Sequence, residues 1–367
     1  MTAQSEEHRL LQDSAKAFMA KEAPPSALRA LRDGASGASF DARLWAKMVE
    51  LGWAGIAIPE AHGGAGLGFA GLGLVLEEAG ANLAPAPLLS CALIAPAAFL
   101  LAANEAQQSA WLPKIAAGQA IFALAIDEGA HHAPAQIQAR ALPEGAAWRI
   151  HGEKRMVADG QSADQLLVSA RQPDGGILLL HVAAQSEGVA IQALRTADSR
   201  GAADIRFDGA LGEALGDGPA PIDALLDHAR IGCAAEMLGQ AQAAFSLTAE
   251  YLRTRTQFGQ TIGAFQALQH RAAAMLVDLE LTRSCVLAAL QALDEQAGDI
   301  PALASLAKAR AGETLHEISR EMVQLHGGIG MTDAHDAGLY LKRARALEAL
   351  YGSASFHRDR YAQLMGY

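Results

Sequence analysis

Two stretches that combine polar side chains with glycine carry the residues whose types and spacing could do chemistry. Tyr251–Gln266 reads Tyr-Leu-Arg-Thr-Arg-Thr-Gln-Phe-Gly-Gln-Thr-Ile-Gly-Ala-Phe-Gln, and Gln324–Gly330 reads Gln-Leu-His-Gly-Gly-Ile-Gly. The first pattern predicts a helix that ends in a basic turn at Arg253 and Arg255, a Phe-Gly break, and a new helix near Ala264. A guanidinium beside free backbone N–H groups suits a phosphate or pyrophosphate. An arginine at a helix end is also a common solvated cap, and the basic turn by itself leaves that alternative open.

The glycine-rich stretch predicts a break between two helices, where a flat ring or a phosphate can approach the backbone closely. The two stretches occur in this order and are followed by Leu339–Arg345, which reads Leu-Tyr-Leu-Lys-Arg-Ala-Arg. Together they resemble the acyl-CoA dehydrogenase family, in which R-x-x-F-G, a downstream Gln and Q-x-x-G-G-x-G line the FAD site. The similarity extends over nearly the whole chain, from a helix at Glu6 to His357.

This resemblance implies an α+β architecture, the acyl-CoA dehydrogenase fold. We expect an N-terminal helical domain at 1–118, a middle antiparallel β domain at 119–212 and a C-terminal four-helix bundle at 213–367. In the family, a carboxylate base removes the α proton of an acyl-CoA thioester while the β hydrogen leaves as hydride to the flavin. Such a weak carbon acid requires a well-placed base and hydrogen bonds that stabilise the enolate. The implied cofactor is FAD, the implied substrate is an acyl-CoA, and the implied electron acceptor is a flavoprotein.

The same resemblance assigns site residues. Arg255 would hold the FAD pyrophosphate of a neighbouring subunit, and Ser353 fits the small hydroxyl residue that touches FAD after the family's catalytic position. Asp227 and Arg230 would flank the acyl-CoA, although Arg230 could instead be an ordinary helix charge. The other positions expected along FAD are Gln257, Phe258 and Gln266, with Gln324, Gly327 and Gly328 at its adenosine end.

The catalytic base is where this sequence departs most from the family. Tyr351 occupies the position of the usual Glu, and a phenol with a reference pKa of about 10 is a poor base at neutral pH. The alternative family position, immediately before Arg230, holds Ala229. Glu236 lies two turns further along the same helix and could be a displaced base or a structural carboxylate paired with an Arg. For Glu348 we expect a pair with Arg345, one turn away, as the simpler role.

Two segments that cover the flavin in the family also differ. The Trp-x-Thr segment reads Met156-Val157-Ala158, and the loop Thr-Glu-Pro-Gly-Ala-Gly-Ser-Asp reads Ile-Asp-Glu-Gly-Ala-His-His-Ala at residues 126–133. The loop keeps an acid at Asp127 but loses the Pro and the Ser-Asp pair. The thioether of Met156 packs well against aromatic rings, so Met156 and Ala158 remain candidate flavin contacts.

Composition limits the class of protein. The chain has 367 residues, 51% hydrophobic and 19% charged, with a formal net charge of −11, which is typical of a globular protein. The acidic balance argues against nucleic acid or an anionic membrane as partner. Cys91, Cys233 and Cys285 show no metal-ligand spacing, and the polar N-terminus lacks the pattern of a signal or transit peptide. We therefore expect no metal and a cytoplasmic location.

Periodicity and turn residues predict the order helical, β, helical. A glycine-rich stretch at 52–68 is interpreted as a loop, because it lacks a βαβ pattern and the Walker lysine. The predicted helices of the first part are Glu6–Lys21, Asp41–Leu51, Ala70–Ala79, Cys91–Ala103 (restarted at Pro96) and Glu105–Leu112. The predicted strands are Phe122–Ile126, Gln136–Leu142, Trp148–His151, Gln165–Ala170, Ile177–Val182 and Ile205–Phe207. A linker at Gly212–Pro221 would then lead into long helices.

The sequence leaves three functional hypotheses. The first is an active FAD-dependent acyl-CoA dehydrogenase with a displaced base, working as a homo-oligomer. The second is the base-lacking subunit of an α2β2 enzyme, similar to those acting on steroid side chains or dicarboxylic acyl-CoAs. The third is a flavin-free helical scaffold with no dehydrogenase activity. Retention of Arg255, Phe258, Gln266 and the Gly327-Gly328 pair argues against the scaffold, and the missing base favours the heteromeric subunit.

Overall fold

The computed structural model describes residues 6–34 and 37–367, so the first five residues of the polar N-terminal stretch lie outside it. The described residues divide into two compact units. The helical unit comprises the described residues up to Arg29, together with Gly73–Ala84 and Arg230–Tyr367. The sheet unit comprises the described part of Ala30–Leu72 together with Pro85–Ala229. No helix in these described ranges is long and apolar enough to span a membrane.

The helices agree with the predicted positions to within a few residues, apart from an unpredicted helix at Pro25–Asp33. In chain order they are α1 (Glu6–Glu22), α2 (Pro25–Asp33), α3 (Ala42–Glu50), α4 (Gly68–Ala81), α5 (Ala95–Ala102), α6 (Glu105–Ala116), α7 (Ile222–Thr254), α8 (Gln266–Asp294), α9 (Ile300–His326), α10 (Ala337–Ala349) and α11 (Ala354–Leu364). The predicted helix Cys91–Ala103 is in fact a π-helical segment, Leu89–Ile94, followed by α5. Pro96 lies in the first turn of α5, where its missing N–H leaves no helical hydrogen bond unmade.

In the sheet unit, the pairings of five strands run in a closed circuit, β4 to β5, β7, β3, β2 and back to β4. The strands are β1 (Phe122–Ala125), β2 (Arg140–Glu144), β3 (Ala147–Ala158), β4 (Gln165–Arg171), β5 (Ile177–Ala183), β6 (Val189–Leu194) and β7 (Ala202–Ala214). Most strand pairings are antiparallel, as predicted, but β4 pairs in parallel with both β1 and β2. A long segment, 126–139, separates β1 from β2, so β1 is not held in an antiparallel hairpin.

The apolar runs in the sequence predicted the positions of most strands, but not their lengths. Strand β6 was missed, and β7 continues to Ala214, inside the predicted linker. The core of the sheet consists of inward-facing side chains from several strands, among them Ile150, Leu166, Leu180, Ile205 and Phe207, each at most 2% exposed. The same core includes Ile150 and Val157 of β3, the strand that carries the candidate flavin contacts Met156 and Ala158.

In the helical unit, α4 and α7 cross at very short distance through two glycines. A methyl group on Gly80 would overlap the carbonyl oxygen of Glu236, and one on Gly239 would overlap that of Glu77. Arg283 of α8 extends to the same crossing and its Nη1 donates to Glu77 Oε1 at 2.7 Å. The crossing therefore fixes the position of Glu236 relative to α4.

Candidate functional site

The turn between α10 and α11 carries the position where the base was expected. Tyr351 has φ +56° and Gly352 has φ +108°, so two consecutive residues adopt left-handed backbone angles. Such a conformation is strained for a tyrosine and persists only where the surroundings hold it. The tyrosine is 5% exposed. The geometry of this turn therefore depends on groups from other helices.

Lys308 of α9 holds the turn through its backbone carbonyls. Its Nζ donates to Leu347 O at 3.0 Å, Gly352 O at 3.0 Å and Glu348 O at 3.4 Å. An ammonium has three N–H donors, so these three oxygens satisfy it completely. The side chain is 1% exposed, and burial lowers the pKa of this lysine. Lys308 was not among the residues expected at the site, although its spacing from the buried Ala304, Ala311 and Leu315 places it on the inner face of α9.

Two further groups converge on the carbonyl oxygen of Tyr351. Arg230 of α7 donates from Nε at 3.4 Å, and His357 of α11 donates from Nε2 at 3.0 Å. Both side chains are 0% exposed. The guanidinium of Arg230 also lies over the ring of Phe356, 5.6 Å from its centroid. Arg230 thus contacts the turn itself, and its predicted role beside an acyl-CoA remains a prediction.

The two candidate carboxylates of the helical unit are both engaged with cations. Glu236 is 4% exposed and its Oε1 lies 3.5 Å from Nη1 of Arg343, which is the pairing expected for a structural role. The pair offsets part of the cost of burying both charges. Glu348 binds Arg345 Nη1 at 2.7 Å, as predicted, and also lies 3.1 Å from His316 Nδ1.

The basic segment after α7 forms an exposed hairpin in which β8 (Thr256–Gln257) pairs with β9 (Gln260–Thr261). Phe258 at its tip has φ +54° and is 90% exposed, with its ring edge-on to Phe265 at 6.2 Å. Arg255 is exposed, and in the part of the chain that the structure describes its guanidinium has no ion pair. A guanidinium in this state fits the chemistry of a pyrophosphate ligand. The expected FAD positions Gln257 and Gln266 are exposed on the same segment.

The glycine-rich stretch contacts the start of the basic segment. The ring of Tyr251 stacks on His326, with centroids 4.3 Å apart, and His326 Nδ1 donates to Met322 O at 2.7 Å. Burial lowers the pKa of His326. Gly327 has φ +65°, and a side chain at Gly328 would meet open space. The structure therefore brings the two sequence motifs together, with Gly327, Gly328 and Gln324 exposed.

In the sheet unit, Met156 sits in a register shift between β3 and β7. It has φ +51° and is 58% exposed, and its backbone N–H donates to Asp204 Oδ1 at 2.9 Å. Ala158 is half-buried two residues further on. Of the remaining expected residues, Ser353 is exposed and caps α11 by accepting from Phe356 N, and Asp227 is a buried residue of α7.

The buried His357 makes stability depend on pH. Burial, with Lys308, Arg230 and Arg360 nearby, lowers its pKa from 6.5 to about 2. Nε2 must carry the proton because Tyr351 O accepts from it, and among the described residues Nδ1 has no hydrogen-bond partner. Between these two pKa values the unfolded chain therefore binds a proton that the folded protein does not.

We expect the free energy of unfolding to fall as pH drops below about 6.5, with His357 contributing up to about 1.4 kcal/mol per pH unit. His357→Gln keeps a donor toward Tyr351 O but cannot titrate, so it should flatten this slope. Urea unfolding at several pH values between about 5 and 7 measures the effect, with His270→Gln on the exposed face of α8 as control. An unchanged slope in His357→Gln would contradict the assignment.

Removing the Lys308 ammonium should destabilise the protein. Lys308→Met leaves three carbonyl oxygens of the turn without their donor, and we expect a loss of about 3 kcal/mol in unfolding free energy. The control variant Lys342→Met, at an exposed lysine of α10, should change the free energy of unfolding by less than about 0.5 kcal/mol. Urea midpoints compare the two. Equal midpoints for Lys308→Met and the parent would mean that the turn does not depend on this lysine.

Family models match most of the chain, in two ranges. Residues 5–119 match the family model for the N-terminal domain of acyl-CoA dehydrogenases, and residues 216–366 match the model for the C-terminal domain. The chain is 34% identical over 350 residues to acyl-CoA dehydrogenase IpdE2 of Mycobacterium tuberculosis, covering 95% of this chain and 94% of that protein.

Solved structures show the same fold. One is a variant of the Tcur3481–Tcur3483 steroid acyl-CoA dehydrogenase, with a TM-score of 0.91, 34% identity and 98% coverage of both chains. Another is the ChsE4–ChsE5 complex of Mycobacterium tuberculosis, with a TM-score of 0.91, 27% identity, and coverage of 100% of this chain and 99% of that one. The chain therefore belongs to the acyl-CoA dehydrogenase family.

Proposed function

We propose that this chain is the base-lacking subunit of a heteromeric, FAD-dependent acyl-CoA dehydrogenase. The observation that carries the proposal is a turn, 347–352, that is fully braced by buried donors yet presents Tyr351 instead of a carboxylate. Similar chains occur in the Tcur3481–Tcur3483 steroid enzyme and in the ChsE4–ChsE5 complex, which supports a partner chain. We extend the proposal to a bulky, ring-bearing acyl-CoA, a flavoprotein electron acceptor and a cytoplasmic location.

In this proposal, exposed groups of the helical unit bind FAD. The guanidinium of Arg255 would hold the pyrophosphate, and the exposed Gly327 and Gly328 would let the adenosine end approach the backbone. When bound, FAD accepts the β hydrogen of the substrate as hydride. Exposed Phe258, on the same segment as Arg255, would contribute an apolar contact and exclude water from the cofactor.

The role of this chain in proton transfer follows from what its carboxylates do. Glu236 is buried with its Oε1 3.5 Å from Arg343 Nη1, and this ion pair gives the carboxylate a structural role that makes it a weak candidate for the base. Arg230, Lys308 and His357 fix the backbone around Tyr351 without offering a carboxylate. A partner chain with the family's usual Glu would therefore remove the α proton, while this chain binds and orients.

Arg255 tests the cofactor site. Arg255→Ala should lower the bound flavin at least about tenfold, because a charge-assisted bond to phosphate is lost, and leave the melting temperature of the flavin-free form unchanged. Arg253→Ala is the matched control, since Arg253 lies on the same turn but pairs with Glu250 at 3.4 Å. Flavin absorbance per chain and a thermal melt are the measurements. Equal flavin loss in both variants would mean that general surface charge, not a site, binds the cofactor.

Tyr351 tests the missing base. If the site is otherwise complete, Tyr351→Glu should speed anaerobic flavin reduction by bulky acyl-CoAs, since a positioned base contributes about 10²–10⁴-fold in rate. Tyr351→Gln, which is polar but not basic, is the control. The same assay on this chain co-expressed with a second acyl-CoA dehydrogenase chain should show fast bleaching without any substitution. Fast bleaching by the unmodified homo-oligomer, lost in Glu236→Gln at full flavin content, would overturn the heteromeric proposal.

A further inference from the structure

The segment 126–139 after β1 is built differently from the loop that the family has at this place. Glu128 stands where the family sequence has Pro, and His132 stands where it has Ser. Proline stiffens a loop by fixing its own backbone, and this chain lacks that constraint. The segment belongs entirely to the sheet unit, so its contacts can be traced within one compact body.

The carboxylate of Glu128 ties the two ends of this segment together. Oε2 accepts from Gln138 N at 2.6 Å, and Oε1 accepts from Ala139 N at 3.0 Å. Oε1 also accepts from Lys154 Nζ at 2.7 Å. One side chain thus closes the loop between Glu128 and Gln138 and anchors it to β3. Bonds of this kind, with one or both partners charged, are the stronger hydrogen bonds in proteins.

Lys154 of β3, the partner of Glu128 in this ion pair, is 0% exposed. Besides Glu128, its Nζ donates to Ile126 O at 3.0 Å and to Ser169 Oγ at 2.9 Å, so all three donors are used. Burial lowers the pKa of Lys154, and its bond to Glu128 acts in the opposite direction. The lysine joins the start of the segment, strand β4 and strand β3 at one point.

A second set of bonds joins the segment to the backbone bulge at Met156. Arg155 N donates to Asp127 O at 2.7 Å, one residue before the left-handed Met156. The carboxylate of Asp127 binds His132 Nδ1 at 2.9 Å and accepts from Ala133 N at 3.3 Å. The segment and the bulge therefore form a single cross-linked body rather than two independent loops.

A cavity of about 210 Å³, partly open to solvent, is lined by residues of the segment between 126 and 137. Ile126 and Ile137 contribute apolar walls, and Glu128 and His131 are among the polar residues of the lining. The carboxylate of Glu128 already accepts hydrogen bonds from Gln138 N and Ala139 N. It therefore shapes this cavity by holding the backbone in place.

We propose that Glu128 and Lys154 are positioning residues that set the segment 126–139 and the Met156 bulge as one preformed surface for the flavin of the proposed dehydrogenase. The inference rests on the proposed function. In this chain a buried ion pair replaces the stiffness that the family's proline supplies. Neither side chain touches the cofactor in this scheme, and each acts through the backbone it holds.

The variants separate positioning from simple stabilisation. Glu128→Gln and Lys154→Met each break the ion pair, and the double variant Glu128→Leu/Lys154→Met replaces it by apolar side chains of similar size. Apolar replacement of a buried pair is often neutral for stability, whereas the amides of Gln138 and Ala139 still lose their acceptor. As control, Arg149→Gln removes an exposed ion pair with Glu144 in the same sheet.

Three quantities are measured on the full chain, in whichever assembly the parent holds FAD: hydrogen exchange of the Gln138 and Ala139 amides, urea stability of the flavin-free form, and the FAD dissociation constant. We expect faster exchange and at least about tenfold weaker FAD binding in both single variants, because the surface for the flavin is no longer held in its binding conformation. The double variant should regain stability but keep the binding defect, and Arg149→Gln should match the parent. Binding equal to that of the parent despite released amides overturns this inference alone. A parent that binds no FAD overturns the proposed function and, with it, this inference.

Discussion

A buried ammonium group must direct every donor to an acceptor atom, and this constraint determines the local structure at two places in the molecule. Lys308 binds three backbone carbonyls of the turn 347–352, and Lys154 binds a carboxylate, a hydroxyl and a carbonyl at the base of the segment 126–139. Neither side chain is more than 1% exposed. Because an unpaired buried charge costs several kcal/mol, the chain around each lysine has little freedom to move.

Around Lys308 this constraint has a chemical consequence. The turn holds Tyr351 in a left-handed conformation, and Arg230 and His357 both donate to its carbonyl oxygen. All of these contacts are made to the backbone, so they do not require a particular side chain at position 351. A carboxylate can therefore be lost from this position without loss of the turn. Such a chain fits a division of labour in which another subunit supplies the base.

Close backbone packing brings the other candidate residues to their places. Glycines at the α4–α7 crossing fix Glu236 beside Arg343, which commits that carboxylate to an ion pair. Stacking of Tyr251 on His326 joins the end of α7 to the glycine-rich turn after α9. Arg255, a few residues after Tyr251, and the exposed Gly327 and Gly328, directly after His326, therefore follow this contact closely in the chain.

Features that depend on neighbours along the chain could be predicted from the amino-acid sequence. Helix periodicity and the positions of proline and glycine predicted the helical, β, helical order, and the one-turn spacing of Arg345 and Glu348 predicted their pair. The family motifs are contiguous, so they marked the exposed hairpin at Arg255 correctly as a break between two helices.

Features that join residues far apart in the chain became visible only in the folded structure. The parallel pairing of β1 with β4 joins strands separated by a long connection, and no local pattern specifies it. The spacing of Lys308 places it on the inner face of α9, but its acceptors come from the distant turn 347–352 and are known only from the folded structure. Likewise, the sequence shows only that Glu128 replaces the family's proline. Its ion pair with Lys154 of β3 is known only from the folded structure. Hydrogen bonds between residues this far apart in the chain are properties of the assembled core, so sequence spacing alone could not reveal them.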